Sequence, residues 1–328
     1  MNAAILRELN QPLVLGELVM PQLGVGQVLV QVQYATICGA QLGEIAGKKG
    51  PDKYLPHLIG HEGVGTVLEI GPGVTTKKAG DRVILHWRPS EGIAAKGPQY
   101  RCGSEVVNAG PMACFAEQCI VSENRLTLLP DGIDEKVAPL FGCALTTAYG
   151  CVTNDANVKP GQSVLIFGAG GVGLALLEVA KLVNAYPINL IDPIQSKVIE
   201  AVRRGADYYD GLNAYDVVFD TTGDATAIER AYSMTKPQGR TILIGVPHHN
   251  DPIYIDSLPL HFGKVLTGSQ GGDCQPHIDI PRMAKLVARG KLNLDGLITH
   301  EYALDCINDA LDLVRSGTAG RVLLRMNA

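Results

Sequence analysis

The chain has 328 residues, of which 46% are hydrophobic and 19% are charged, and its formal net charge is -5. This length exceeds one ordinary hydrophobic core, so a globular protein with two domains is expected. No basic segment predicts binding to nucleic acid or to an anionic membrane surface, and no apolar run reaches the roughly 18 residues that span a bilayer.

The first residues, 1–15, lack the charged region and the apolar region of a secretion signal. The eight cysteines show no paired spacing, which is typical of reduced thiols in a cytosolic protein. We therefore expect a cytoplasmic protein that binds small molecules and binds neither nucleic acid nor a membrane.

The first part of the chain has the pattern of a β-rich domain. Short strands are predicted at 28–32, 65–70 and 81–85, each bounded by glycine or proline. Turns at 71–73 and 78–81 separate them. Several short strands with turns between them favour a barrel-like or sandwich domain.

Past about residue 145 the pattern changes to alternating strands and helices, which predicts a doubly wound parallel sheet. The predicted segments are strands at 163–167, 188–191, 216–220 and 240–245 and helices at 172–183, 196–205 and 225–235. Two further helices, near 281–289 and 304–315, precede a strand at 321–325 that is expected to return to the first domain. We therefore predict a catalytic domain from 1–145 with 277–328, and a cofactor domain at 146–276.

A glycine-rich loop between the first strand and helix of the second domain predicts a dinucleotide site. The motif alone is weak, but here a strand precedes it, a helix follows it and Asp192 ends the next strand. Gly168 permits the tight turn, Gly170 lets the backbone approach a pyrophosphate, and Gly173 allows close packing of the helix. Asp192 would accept from ribose hydroxyls and repel a 2′-phosphate, which favours NAD over NADP. The loop is Gly168, Ala169, Gly170, Gly171, Val172 and Gly173.

Two thiols and an imidazole from distant segments, Cys38, His61 and Cys143, form a second candidate constellation. Each residue alone is more often structural than a ligand, since cysteine is among the most buried residue types. Together they suit zinc, and three protein ligands leave the fourth tetrahedral position free for water or substrate, as in catalytic zinc sites.

The order of these motifs resembles the zinc-dependent alcohol dehydrogenases of the medium-chain dehydrogenase/reductase (MDR) superfamily over essentially the whole chain. The segments that carry the resemblance are 38–39, 60–65, 80–83, 142–150, the glycine loop and 311–324. It implies an α/β protein with a GroES-like β-barrel catalytic domain and a Rossmann cofactor domain. The implied reaction is hydride transfer between NAD(H) and an alcohol, polyol or sugar-type hydroxyl, with the carbonyl formed in reverse.

The resemblance also implies the roles of individual residues. Cys38, His61 and Cys143 would hold the catalytic zinc, and Glu62 would lie behind the ion as a supporting group or a transient ligand. Further residues would contact the cofactor and the substrate: Thr147 and Val172 at the nicotinamide, Arg321 at the pyrophosphate, and Trp87 as an aromatic wall of the substrate pocket. Phe115 occupies a second wall position, with core packing as the alternative. A homodimer or homotetramer is implied through the segment 263–268.

The sequence departs from the family at two places. Many relatives hold a structural zinc with four closely spaced cysteines after the 80–81 turn, whereas here only Cys102, Cys114 and Cys119 occur in that region, wrongly spaced. We expect one catalytic zinc per chain and no structural zinc. Relatives also carry a Ser/Thr hydroxyl and a histidine that relay the alcohol proton, and this chain has Ala40 and Gly43 there.

Three explanations of the missing relay stay open. Another side chain, with Glu44, His57 and His86 as candidates, could pass the proton through water. The substrate could carry its own acid or base. As a separate point, Arg88, Lys96 and Arg101 could bind an anionic substrate or be ordinary surface residues. The enzyme could instead be an NAD(P)H-dependent reductase of enones or other alkenes. A fourth alternative is a protein that binds NAD(H) without turnover.

Overall fold

The computed structural model describes residues 1–209, 211 and 214–326, and its strands form three sheets. Residues 1–130 contain ten strands: β1 (Asn2–Leu6), β2 (Val14–Glu17), β3 (Gln27–Ile37), β4 (His57–Leu58), β5 (Glu62–Ile70), β6 (Arg82–His86), β7 (Gln99–Cys102), β8 (Glu105–Asn108), β9 (Gln118–Ser122) and β10 (Leu126–Leu128). The helix α1 (Gly39–Ile45) begins directly after β3, and α2 (Ala144–Gly150) follows β10.

The middle of the chain builds a parallel sheet with the order β12-β11-β13-β14-β15. Its elements alternate as predicted: β11 (Val164–Phe167), α3 (Gly171–Leu182), β12 (Ile188–Ile191), α4 (Gln195–Arg203), β13 (Tyr215–Asp220), α5 (Ala225–Ser233), β14 (Thr235–Leu243) and β15 (Val265–Gly268). All its strand pairs are parallel, and Ile166 of β11 lies between Leu190 and Phe219 of its two neighbours. This is the Rossmann arrangement that the alternating pattern predicts.

The last segment returns to the first part of the molecule. It consists of α6 (Pro276–Ala288), β16 (Ile298–Ala303), α7 (Ile307–Arg315) and β17 (Arg321–Arg325). β17 pairs antiparallel with β3, and β16 pairs parallel with β17. The resulting sheet has the order β10-β6-β5-β3-β17-β16, with β9 also on β3, and a smaller sheet has the order β2-β1-β4-β8-β7. Strands from both ends of the chain therefore complete the GroES-like part of the fold.

Helix α2 lies between the two halves of the molecule. One core cluster contains Ile84 of β6, Leu145 of α2 and Ile166 of β11, all buried. Burial of this apolar surface holds the barrel-like part and the parallel sheet together at α2. The division at 145–146 and 276–277 remains a prediction. Among the residues that the structure describes, no helix is long and apolar enough to cross a membrane.

Candidate metal centre and dinucleotide site

Three element boundaries bring Cys38, His61 and Cys143 together. Cys38 follows β3 and precedes α1, His61 precedes β5, and Cys143 precedes α2. Strands β3 and β5 are paired, which brings the first two residues to the same end of one sheet. Gly142 lets the start of α2 pack closely against β5 and β6, because a Cβ there would overlap the Leu85 carbonyl oxygen and the Glu62 side chain.

The three ligand atoms lie within 4.8 Å of one another, which is close enough for all three to bind one tetrahedral ion. Both cysteines are buried, and His61 Nε2 is buried without a hydrogen-bond partner among the described residues. A buried, unpartnered nitrogen beside two thiols fits a zinc ion. Cys102, Cys114 and Cys119 are not part of this group, and the absence of a structural zinc remains a prediction.

The pKa values of the Cys38 and Cys143 thiols shift in opposite directions, because each thiol interacts with the other through a hydrogen bond. The bond from Cys143 lowers the pKa of Cys38 well below its ordinary value, and Arg321 and His61 contribute in the same direction against burial. The same bond and burial raise the pKa of Cys143. A divalent cation would supply the positive charge that favours both thiolates.

Behind the thiols, Glu62 pairs with Arg321. Glu62 Oε1 accepts from Arg321 Nη1 at 2.6 Å, and Nη1 also donates to the Ile37 carbonyl at 3.2 Å. Glu62 lies outside the group of three ligand atoms that could share an ion. Burial raises the pKa of Glu62 to about 7, with Arg321 opposing the shift.

Arg321 also faces the glycine-rich loop. A Cβ at Gly171 would overlap Arg321 Nε, so the guanidinium lies directly over the loop. Its Nε and Nη2 are buried and have no partner among the described residues. Buried donors without a partner beside a glycine-rich loop would fit an anionic group of a cofactor. The same side chain thus contacts Glu62 on one side and the loop on the other.

The glycine loop has the shape that a dinucleotide requires. Gly168 has φ of 95°, in the left-handed region that favours glycine, and a Cβ at Gly173 would overlap the Gly168 carbonyl oxygen. A Cβ at Gly170 would meet no atom within 4 Å, so this side of the loop is open. Asp192 Oδ2 accepts from the Ala169 amide at 2.8 Å, which fixes the carboxylate at the loop.

Comparison with known proteins finds two family models that match the chain. Residues 24–131 match the family model described as an alcohol dehydrogenase GroES-like domain, and residues 171–289 match the one described as a zinc-binding dehydrogenase. The chain belongs to the zinc-dependent alcohol dehydrogenases of the MDR superfamily. As a member of this family, the dehydrogenase is an oxidoreductase of the alcohol dehydrogenase type.

Relatives resemble the dehydrogenase over their whole length. It is 29% identical to an S-(hydroxymethyl)glutathione dehydrogenase of Escherichia coli O1:K1 / APEC, with 99% of each chain covered. The structure of benzyl alcohol dehydrogenase from Acinetobacter calcoaceticus superposes with a TM-score of 0.89 at 25% identity, again over 99% of each chain. The alcohol dehydrogenase TADH from Thermus sp. ATN1 superposes with a TM-score of 0.83 at 25% identity, over 100% of each chain.

The predicted cofactor contacts at Thr147 and Val172 lie on helices that flank the site. The Thr147 amide donates to the Cys143 carbonyl at 2.9 Å, so Thr147 lies one helical turn after a candidate ligand. Val172 belongs to the glycine loop and is the second residue of α3. Both positions are compatible with the predicted contact with a nicotinamide ring.

The two predicted aromatic walls have different surroundings. Trp87 packs against Gly271, where a Cβ would overlap the indole ring, and its Nε1 is buried without a partner in the described part of the chain. Phe115 is 1% exposed and lies beneath Gly60, so it belongs to the core rather than to a substrate pocket. Of the two interpretations for Phe115, the structure therefore favours core packing.

A cavity of about 550 Å³ borders His61, and its lining includes polar side chains as well as the apolar Leu58, Ile59 and Met112. Glu44, Asp52 and His57 are among its lining residues, and Trp87 is not. His57 Nε2 lies 3.0 Å from Asp52 Oδ2, and Nδ1 donates to the Leu58 carbonyl at 2.9 Å. Burial raises the pKa of Glu44. A protonatable carboxyl group therefore lines the same cavity as a candidate ligand.

The third relay candidate, His86, lies elsewhere and is buried. Its Nδ1 donates to the Arg88 carbonyl at 2.8 Å, and Nε2 accepts from the Thr127 hydroxyl at 3.0 Å. Burial lowers the pKa of His86 to about 3, so the ring is neutral. With both nitrogens engaged, His86 has a structural role.

The basic residues proposed for an anionic substrate do not converge on the cavity. Arg88 donates to the carbonyl of Cys274 at 3.2 Å and to that of Gln270, and it pairs with Asp273. Lys96 and Arg101 are exposed, and neither lines the cavity. Arg88 therefore connects the loop after β6 to the segment after β15.

Sequence analysis does not single out Gln41, which contacts two of the three candidate ligands. Its side chain is fully buried, accepts from the Cys38 amide at 2.8 Å and contacts His61 Nδ1. The available signal was its position three residues after Cys38, where a helix-capping side chain reaches back to the residue before the helix.

Proposed function

We propose that this dehydrogenase transfers a hydride between NAD(H) and the carbon of an alcohol or polyol hydroxyl, with one catalytic zinc per chain. The observation that carries the proposal is the position of Arg321, which contacts Glu62 behind the Cys38, His61 and Cys143 group and also lies over Gly171. One side chain thus joins the metal ligands to the dinucleotide loop. Zinc, when bound, acts as a Lewis acid on the substrate oxygen, and NAD accepts the hydride.

The choice of NAD over NADP rests on Asp192. Its Oδ1 accepts from the Ile194 amide at 2.9 Å and its Oδ2 from the Ala169 amide at 2.8 Å. These bonds hold the carboxylate at the end of β12, where it can accept from ribose hydroxyls and repels a 2′-phosphate. Arg321 would donate to the pyrophosphate, and the N-terminus of α3 would face it.

We propose that Glu44 replaces the missing proton relay. Ala40 and Gly43 carry no titratable group, whereas Glu44 lines the cavity beside His61 together with His57 and Asp52. Bound NAD would accept the hydride from the alcohol carbon, and the Glu44 carboxylate would accept the hydroxyl proton, directly or through water. The polar lining of the cavity favours a polyol or sugar-type substrate.

We also propose that the protein is a cytoplasmic homodimer, with a tetramer as the larger alternative. All eight cysteines are free, which is the state expected in a reducing compartment. Strand β15 ends the parallel sheet and pairs only with β14 among the described residues. Leu258 and Phe262, just before it, are 61% and 68% exposed. An open strand edge beside exposed apolar side chains favours two-fold pairing.

The first test measures zinc and turnover on protein purified without chelator. We expect about one zinc per chain by elemental mass spectrometry, and NADH formation with some member of a panel of polyols and secondary alcohols. Cys38→Ala should lose both zinc and turnover. We expect a strong preference for NAD, so equal rates with NADP would contradict the role of Asp192.

The other outcomes separate the alternatives. Two zinc ions per chain would contradict the expectation of no structural zinc. A zinc-free protein that reduces enones would favour the alkene reductase, and a protein that binds NADH but turns over no substrate would favour the binding-only alternative.

A further inference from the structure

Gln41 lies between two of the three candidate zinc ligands and is 0% exposed. On one side its Oε1 accepts from the Cys38 amide at 2.8 Å. On the other side its Nε2 contacts His61 Nδ1. A single buried amide thus fixes the backbone of one ligand and the ring of another.

The hydrogen-bond chemistry determines which way this amide faces. The Cys38 N–H is a donor that cannot be reversed, so the amide oxygen must point toward it and the NH₂ group toward His61. His61 Nδ1 then accepts, and a neutral imidazole carries its proton on Nε2. Nε2 is the buried nitrogen that has no partner in the described residues and lies with Cys38 and Cys143.

Binding a zinc ion requires the opposite tautomer. The lone pair of Nε2 must face the ion, which moves the proton to Nδ1 without changing the charge of the ring. Two N–H donors, from Cys38 and from His61, then face a side chain that has one acceptor atom. Whichever way the amide is turned, one donor meets the NH₂ group. A carboxylate at this position would offer an acceptor oxygen to each donor.

We propose that Gln41 is a positioning residue that weakens zinc binding by favouring the His61 tautomer whose Nε2 is protonated. The inference rests on the proposed zinc site at Cys38, His61 and Cys143. It predicts a zinc ion that exchanges more readily than in a site where a carboxylate accepts from the ligating histidine. Mutating a group that hydrogen-bonds a metal ligand typically changes the metal affinity about 10- to 100-fold.

The test compares zinc dissociation constants of the full-length apo protein, its Gln41→Glu variant and its Ala46→Glu variant, by competition with a chromophoric chelator. Gln41→Glu should bind zinc about 10- to 100-fold more tightly than wild type. Ala46→Glu adds the same charge at the exposed end of the same helix and should change the constant by no more than about fivefold. Equal tightening by both variants would assign the effect to charge and overturn the inference.

A second measurement reads the tautomer directly. Long-range proton–nitrogen NMR of the apo wild type, with His61 assigned from a His61→Asn variant, should show His61 protonated on Nε2. Apo Gln41→Glu should show it protonated on Nδ1. A wild-type ring protonated on Nδ1 would overturn the inference without any reliance on a variant. If neither wild type nor Gln41→Glu binds zinc, the proposed metal site itself is wrong.

Discussion

Glu44 provides a test of proton transfer at the level of one residue. Burial raises its pKa, while His57, His61 and Lys49 oppose the shift and Asp52 adds to it. As the proton acceptor in alcohol oxidation it must be ionised, so the rate should fall as pH drops through the raised pKa. Glu44→Gln should lower kcat by about 10²–10⁴-fold, the usual value of general base catalysis, and remove this acidic limb from the pH profile.

Stability gives an independent readout of the same residue. Folding raises the pKa of the Glu44 carboxyl group above its ordinary value of 4.5. Such a group stabilises the folded state at low pH, and this contribution is lost as pH rises from 4.5 through the folded pKa. Relative to wild type, Glu44→Gln should therefore become more stable as pH increases through that range in urea unfolding. A kcat close to that of wild type, together with this stability change, would place Glu44 in the cavity but outside the proton path.

At this scale the sequence predicted the metal group and missed the contacts around it. Cys38, His61 and Cys143 stand in recognisable motifs, and the structure brings their side chains together. The Arg321–Glu62 pair joins residues 259 positions apart, a contact that no local pattern encodes. The sequence leaves Phe115 open between a pocket wall and the core, and its packing beneath Gly60 favours the core.

Helix α2 gives a prediction at the level of an element. A Cβ at Gly150, its last residue, would overlap the Gly272 backbone of the turn it packs against. We expect Gly150→Ala to destabilise the protein by about 1–3 kcal/mol, because backbone cannot move aside as a flexible side chain can. Gly110→Ala is the matched control, since its Cβ would have only ordinary contacts at 3.7 Å or more. Similar urea midpoints for both variants would contradict tight packing at α2.

Element boundaries were predicted well where glycine or an apolar run marks them. The strand at 188–191 and the final strand at 321–325 have the predicted bounds. The helix predicted near 281–289 instead begins at Pro276 and contains Pro281. Two prolines compete for the start of this helix, and either suits a first turn, because proline lacks the backbone N–H that would have no acceptor there. Tertiary packing selects the earlier one, and the sequence alone does not show it.

For the whole molecule, the proposed dimer is tested at the edge of the parallel sheet. Phe262→Glu places a charge on a side chain that is 68% exposed beside β15, and we expect a monomer by light scattering after gel filtration. Val19→Glu changes another apolar side chain, 65% exposed but far from β15 in the chain, and should leave the dimer intact. A dimer that survives Phe262→Glu would argue for a different interface.

The pairing of β17 with β3 has a consequence for how the protein is made. Arg321 and Ile37, which meet at this pairing, are 284 positions apart, so a chain emerging from the ribosome cannot bring them together until β17 has been synthesised. The parallel sheet is built from consecutive segments and can form earlier, whereas contacts between distant segments form slowly. The contact of Arg321 with Glu62, and with it the proposed contact with the cofactor, therefore forms only after β17 has been synthesised.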